Sequence, residues 1–71
     1  MKRYFEFVSD TSAKFWEITT NGTEVTVRFG RIGTEGQTQV KTLADAGEAV
    51  RHANKLAASK TAKGYCEMAA C

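Results

Sequence analysis

The chain has 71 residues, of which 42% are hydrophobic and 25% charged, and its formal net charge is +2. This composition is that of an ordinary globular protein of one domain and excludes the disordered and fibrous classes. No apolar run approaches the roughly 20 residues of a membrane-spanning helix. The N-terminus meets Glu6 and Asp10 before any apolar segment develops, so it does not resemble a secretory signal. We therefore expect a cytoplasmic protein without a membrane partner.

The charged residues and cysteines set weak limits on function. An isoelectric point near 8.7 permits nucleic-acid binding without requiring it. The two cysteines, Cys66 and Cys71, and the single histidine, His52, are too few for a zinc site with four ligands. We expect free thiols, with Cys66 as a small core residue, and neither a metal nor a cofactor.

The first half of the chain predicts strands. We expect four strands, at residues 2–8, 14–20, 25–33 and 37–42. Apolar and polar residues alternate in the first two and in the third as far as Phe29, and the fourth is polar but rich in Thr and Val. Trp16 and Ile18 share one face of the second segment, and Trp16 is expected to be the main core aromatic. The dipeptide Asn21-Gly22 favours a type I′ hairpin, which would pair residues 14–20 with residues 23–29. A second tight turn is expected at residues 34–36, and the polar fourth segment is typical of an edge strand.

The second half of the chain predicts one helix. Asp45 and Glu48 have the spacing of an N-cap and its partner in the first turn. The expected core stripe consists of Ala46, Ala49, Val50, Ala53, Leu56 and Ala57. His52 would face outward. Gly64 suits a left-handed helix exit, and residues 65–68 would form a short closing strand. One antiparallel sheet of four to five strands with one helix packed across it, an α+β fold, accounts for these elements. The other sheet face would stay open for a partner.

The segment from Val25 to Gly36 is the most distinctive part of the chain. Val25, Val27 and Phe29 alternate as one buried face, and continued alternation would turn Ile32 away from the core. A bulge at Gly30 would restore Ile32 to the core and would expose Phe29 and Arg31 at one edge. This predicts a binding site that combines an aromatic ring with a guanidinium.

Three stretches of the sequence together resemble the WGR domain family. They are the segment KFWEI at residues 14–18, the segment VRFGRIGTEGQ at residues 27–37 and the helix end KTAKGY at residues 60–65. The resemblance covers nearly the whole chain, which we take as a single WGR-like domain over residues 1–71. The family occurs in poly(ADP-ribose) polymerases, in bacterial proteins related to a molybdate-metabolism regulator, and as small bacterial proteins. The resemblance implies a curved antiparallel sheet with one helix, and nucleic-acid binding.

The Trp-Gly-Arg motif that names the family reads Phe29-Gly30-Arg31 in this chain. In the polymerases the Trp packs on the terminal nucleotide of a DNA break. Phe29 keeps an aromatic face for stacking but offers less area and no indole N–H. The resemblance also places Lys60 where family members contact the DNA backbone. The candidate nucleic-acid-binding residues are Lys14, Arg28, Phe29, Gly30, Arg31, Lys41, Lys60 and Lys63.

Each of these assignments has a structural alternative. Phe29 could be core or stack on a ligand, with equal weight, and Arg31 could instead fasten its loop to backbone carbonyls. The sequence carries no catalytic arrangement, so we do not expect an enzyme. We expect a monomer that binds nucleic acid, DNA ahead of RNA. The alternative is a protein-interaction module, in which Arg31 pairs with an acidic partner and residues 37–42 accept an added strand.

Overall fold

A computed structural model describes residues 2–68 of the chain. Its elements are β1 (Lys2–Val8), β2 (Ala13–Asn21), β3 (Glu24–Arg31), β4 (Gln37–Thr42), α1 (Ala46–Ala62) and β5 (Cys66–Glu67). The strands of this part form one open antiparallel sheet in the order β4-β3-β2-β1-β5, with α1 packed across it. The predicted α+β architecture is therefore confirmed.

The core lies between α1 and one face of the sheet. The sheet contributes Phe5, Trp16, Ile18 and Val25, and the helix contributes Ala49, Ala53 and Ala57. Because the helix offers only methyl groups, the aromatic rings fill most of the volume, with Phe5 and Trp16 meeting edge to face at 5.5 Å between centroids. The expected core role of Trp16 is confirmed.

The buried stripe of α1 is narrower than the sequence predicts. The three buried alanines recur at steps of four residues, so the stripe is a single row. Leu56 packs at its margin, half-buried. Ala46 and Val50 lie outside this row and are exposed, which makes their predicted core positions wrong. His52, expected to face outward, is half-buried beside Leu56 and lines a groove with it.

The hairpin between β2 and β3 turns one residue later than predicted. Asn21 pairs with Glu24, so Gly22 and Thr23 are the two loop residues. Gly22 has φ +61, whereas no residue other than glycine has a positive φ in residues 2–68. Glycine at the first loop position is typical of a type II′ turn, so the predicted type I′ turn is wrong. The register consequently shifts by two residues, and Lys14 lies opposite Arg31.

The bulge predicted at Gly30 does not form. β3 pairs with β2 without an inserted residue through Phe29, Gly30 and Arg31, and the ladder extends to a hydrogen bond of 3.0 Å from Ile32 N to Ala13 O. Ile32 is half-buried and is not part of the core cluster. The strand ends at Arg31 and the turn falls at residues 31–34, closed by the Thr34 amide donating to Arg31 O at 3.1 Å. Both boundaries lie earlier than predicted.

The helix ends match their predicted signals. The Asp45 side chain accepts the Glu48 amide at 2.7 Å, and the Glu48 carboxylate in turn accepts the Ala44 amide at 3.3 Å. At the other end Gly64 has φ +104 and packs against the Phe7 ring, where an added Cβ would lie 3.0 Å from a ring carbon. This exit turns the chain back toward β1.

The closing strand β5 pairs antiparallel with β1. Its Glu67 carboxylate receives two hydrogen bonds of 2.8 Å from the Arg3 guanidinium. Cys66 takes part in a disulfide, so the free thiol predicted for this residue is wrong. The prediction for Cys71 lies outside the described residues.

Candidate nucleic-acid interface

The unbroken alternation of the strands divides the motif between the two faces of the sheet. Val25, Val27, Phe29 and Arg31 follow one another on the side that carries the helix, while the residues between them lie on the opposite side, here called the open face. Arg31 is exposed, and its side chain makes no hydrogen bond or ion pair within residues 2–68. Its exposure follows from the end of the strand and not from the predicted bulge.

Lys14 is the partner of Arg31 in the ladder between β2 and β3. Side chains directly opposite each other in an antiparallel pair share a face and lie about 5 Å apart at Cβ. The Lys14 ammonium lies 5.7 Å from the centre of the Phe7 ring, its neighbour on β1. Two cations therefore sit side by side on the helix side of the sheet, next to an aromatic ring.

The end of α1 brings a third and a fourth cation to the same region. The Lys60 ammonium lies 5.6 Å from the Trp16 ring centre and 5.7 Å from that of Tyr65, within cation–π range of both. The pKa of Lys60 is lowered from its ordinary value, mainly because the ammonium is partly buried and to a smaller extent because the charge of Lys63 is near. Lys14, Arg31, Lys60 and Lys63 are called the basic cluster below.

A cleft of about 650 Å³ opens where these elements meet. Lys14, Phe29, Arg31 and Tyr65 line it, together with the hydroxyl-rich loop at residues 9–12. Tyr65 is anchored by the Phe7 ring at 5.5 Å between centroids. Cations interleaved with aromatic faces can hold phosphates and stack on bases at the same time, which is how many single-strand sites are built.

Phe29 has the packing role predicted for it and also keeps accessible ring surface. It is half-buried, packs against the core cluster and lines the cleft beside Arg31. It also lines a smaller hollow of about 270 Å³ with Trp16 and Lys60. One edge of the ring therefore supports the fold while part of its surface stays accessible between the cations.

Three of the predicted site residues lie elsewhere. Arg28 is on the open face, where it contacts Phe15 and Glu17. The position of a Cβ at Gly30 would be on the same face, where the backbone of Gly36 packs closely against this glycine. Lys41 shares the helix side but pairs with Val25, six residues before Arg31 and about 20 Å away along the strand.

The open face, which the sequence leaves free for a partner, is not a basic surface. Its charged residues are Lys2, Glu6, Glu17, Glu24 and Arg28, so three carboxylates accompany two cations. Glu17 also forms ion pairs of 3.5 Å with both Lys2 and Arg28. The convergence of cations therefore occurs on the helix side of the sheet.

Sequence reasoning missed two aromatic residues of this region. The sequence predicts Phe7 only as part of the strand at residues 2–8 and Tyr65 only as part of the closing strand, yet both rings contact cations of the cluster. The sequence from Lys60 to Tyr65 could have predicted the contact between these two residues. A helix that ends at a glycine such as Gly64 folds the residue after the glycine back onto its last turn. The Tyr65 amide does so, donating to Lys60 O at 3.1 Å.

The chain matches the WGR domain family model over residues 1–70. It is 39% identical over 67 residues to Protein YehF of Escherichia coli (strain K12), and 36% identical over 67 residues to the uncharacterised protein YfeS of the same organism. Each match covers 94% of this chain, but only 24% and 28% of the respective relative. A crystal structure of a Bacteroides fragilis protein superposes with a TM-score of 0.91 at 55% identity, covering 94% of this chain and 19% of that one.

The chain therefore belongs to the WGR domain family, a family associated with nucleic-acid binding, as the resemblance implied. It spans about a quarter of the length of the curated relatives it matches. The match indicates no catalytic family. Within residues 2–68, no helix has both the length and the apolar character that crossing a membrane needs.

Proposed function

We propose that this domain is an accessory nucleic-acid-binding module that acts as a monomer and binds DNA in preference to RNA. The observation that carries the proposal is the basic cluster: Lys14 and Arg31 line the cleft with Phe29 and Tyr65, and Lys60 and Lys63 lie at the adjoining end of α1. Arg31, Lys14, Lys60 and Lys63 would contact phosphates, and Phe29 would lie against a base or sugar. The module would bind without catalysing a reaction.

Salt dependence is the direct test of the phosphate contacts. Four neutralised phosphates give a slope of log K against log salt of about −3.6 on duplex DNA and about −2.8 on a single strand. Binding should therefore be weak and should decrease steeply between low and moderate salt. An affinity that stays flat over that range would contradict the proposal.

A charge-matched pair of variants locates the contacts. Arg31→Gln removes a cation of the cluster, whereas Lys41→Gln removes a cation on the same side of the sheet about 20 Å away. We expect Arg31→Gln to weaken DNA binding and to reduce the salt slope by about 0.9, and Lys41→Gln to change neither. Equal affinity of the Arg31 variant and the unmodified chain would exclude the proposed surface.

The choice of nucleic acid is open to one titration. Single-stranded, blunt-ended and nicked DNA, and an RNA strand of the same sequence, would be added to ¹⁵N-labelled protein while the amide shifts are followed. Shifts should concentrate at residues 7, 14, 29–31 and 60–65, and DNA should give the larger response. Shifts confined to the open face would place the interface elsewhere.

A protein-interaction module is the second candidate. The feature that favours it is β4, which ends the sheet and is exposed along its whole length. Beside it runs a groove of about 490 Å³ lined by Val25, Val27, Val40 and Leu56. An edge strand with an apolar groove can accept a strand from a partner. Amide shifts confined to residues 37–42 on adding a captured protein, with no response to DNA or RNA, would favour this function.

A further inference from the structure

Arg28 comes immediately before the Phe-Gly-Arg motif in the chain, and its side chain lies on the open face of the sheet. Its guanidinium carbon lies 4.7 Å from the centre of the Phe15 ring, and its Nη1 donates to Glu35 O at 3.0 Å. Its Nε lies 3.5 Å from Glu17 Oε1. A guanidinium with three partners, two on β2 and one in the loop after β3, is poorly placed to serve as a phosphate contact on the opposite side of the sheet.

The segment that Arg28 holds is the loop at residues 32–36. This loop folds back over the open face, so that Gly36 packs on the backbone of β3, the strand that precedes the loop. A Cβ at Gly36 would lie 2.3 Å from Phe29 O and 2.8 Å from Phe15 Cζ, and a Cβ at Gly30 would lie 2.8 Å from the Gly36 Cα. The glycine of the Phe-Gly-Arg motif therefore makes room for the returning loop.

The other end of the loop is fixed to the backbone of Arg31. The carbonyl of Arg31 accepts the Thr34 amide at 3.1 Å and the Thr34 hydroxyl at 2.7 Å. Gly33 has φ +96, as a type II turn requires at its third residue. The loop is thus attached to Arg31 at one end and to Arg28 and Phe15 at the other.

We propose that Arg28 is a positioning residue, which clamps the loop at residues 32–36 from the open face and thereby fixes the backbone that presents Arg31 to the cleft. The role in binding rests on the nucleic-acid function proposed above. Lysine cannot replace this arginine, because an ammonium has no planar face to cover Phe15 while it donates sideways to Glu35 O and Glu17.

The test uses Arg28→Lys, which conserves charge, with Arg31→Lys as the matched control. In the unliganded protein we expect Arg28→Lys to accelerate hydrogen exchange of the Thr34 amide, and Arg31→Lys to leave it unchanged. Unchanged Thr34 exchange in a folded Arg28→Lys variant would overturn the clamp. Because this measurement needs no ligand, it separates the clamp from the binding function.

Binding measurements separate positioning from direct contact. Arg28→Lys and Arg28→Ala should each weaken DNA binding about three- to tenfold, the effect of having to order the loop on binding, while the salt slope stays as in the unmodified chain. A slope reduced by about 0.9 in Arg28→Ala would make Arg28 a phosphate contact and would overturn the proposal. If the unmodified chain does not bind DNA, the proposed function fails, and the Thr34 exchange still decides whether Arg28 holds the loop.

Discussion

At the scale of single residues, Gly36 shows how closely the motif is packed from behind. It has φ +72, and the nearest atoms to a Cβ at this position are the Phe29 carbonyl and the Phe15 ring. Gly22 also has a positive φ, of +61, but nothing lies within 4 Å of its Cβ position. A comparison of substitutions at the two glycines therefore distinguishes two contributions to the free energy of unfolding, that of the backbone conformation and that of the close contact.

We predict that Gly36→Ala destabilises the domain more than Gly22→Ala. A backbone with a positive φ alone costs on the order of 1–3 kcal/mol for a residue with a side chain, and this is the whole expected effect at Gly22. At Gly36 the added methyl also displaces the loop from Phe29, which adds about 1–3 kcal/mol to the loss. Urea denaturation followed by Trp16 fluorescence measures both, and equal losses would show that the loop does not press on the strand.

At the scale of elements, an ion pair between Arg3 of β1 and Glu67 of β5 adds to the backbone pairing of these two strands. The two hydrogen bonds from Arg3 lower the pKa of Glu67 below its ordinary value of 4.5. A lowered pKa in the folded state means that the contribution of this carboxylate to stability is complete above its ordinary pKa and is lost as the pH falls through the lowered value. Acid should therefore loosen β5, and with it the neighbouring Tyr65.

The corresponding variant is Arg3→Gln. We predict that the titration midpoint of the Glu67 carboxyl, followed by NMR, rises in this variant because its charged donor is gone. The matched control is Arg51→Gln, which removes an exposed arginine of α1 and should leave the midpoint in place. An unchanged Glu67 midpoint in Arg3→Gln would show that the ion pair does not form in solution.

The elements themselves were largely predictable from the sequence. β1 and β4 occupy their predicted ranges, and α1 begins after the predicted Asp45 cap. These predictions succeed because periodicity and capping depend on neighbours a few residues apart. The prediction of the hairpin register was wrong because Asn21-Gly22 and Gly22-Thr23 can both form a two-residue turn. The choice between these two turns depends on packing across the sheet, which the local sequence does not show.

The site was less predictable than the fold. Trp16 and Lys60 are 44 positions apart in the chain, and no local pattern shows that the helix end returns to that ring. The bulge at Gly30 was predicted on the premise that Ile32 belongs in the core. In the structure Gly30 instead admits the returning loop, which is a contact between two backbone segments and leaves no trace in the pattern of apolar residues.

At the scale of the whole molecule, charge is distributed unevenly. The chain carries a net charge of +2, so with the four cations of the basic cluster set aside, its other residues carry a net charge of −2. The molecule extends 40 × 22 × 17 Å, and the cluster lies where β2 begins and β3 and α1 end. An uneven field of this kind attracts a polyanion to one end of the molecule and leaves the total charge small.

Such a concentration of like charge should cost stability in the unliganded domain. Lys14 and Arg31 lie directly opposite each other in the ladder, and like charges in this position destabilise an antiparallel pair. Arg31 has no carboxylate partner within residues 2–68 to offset this repulsion. A surface selected for folding alone would not place these two residues together.

We therefore predict that Arg31→Gln stabilises the domain while it weakens DNA binding. The free energy of unfolding should rise by a few tenths of a kcal/mol at low salt, and the gain should shrink as salt screens the repulsion. Lys41→Gln, opposite the uncharged Val25, should change neither stability nor binding. Urea denaturation at two salt concentrations measures the first effect. A loss of stability in Arg31→Gln would mean that Arg31 fastens the fold, and the convergence of cations would then need a structural explanation in place of a functional one.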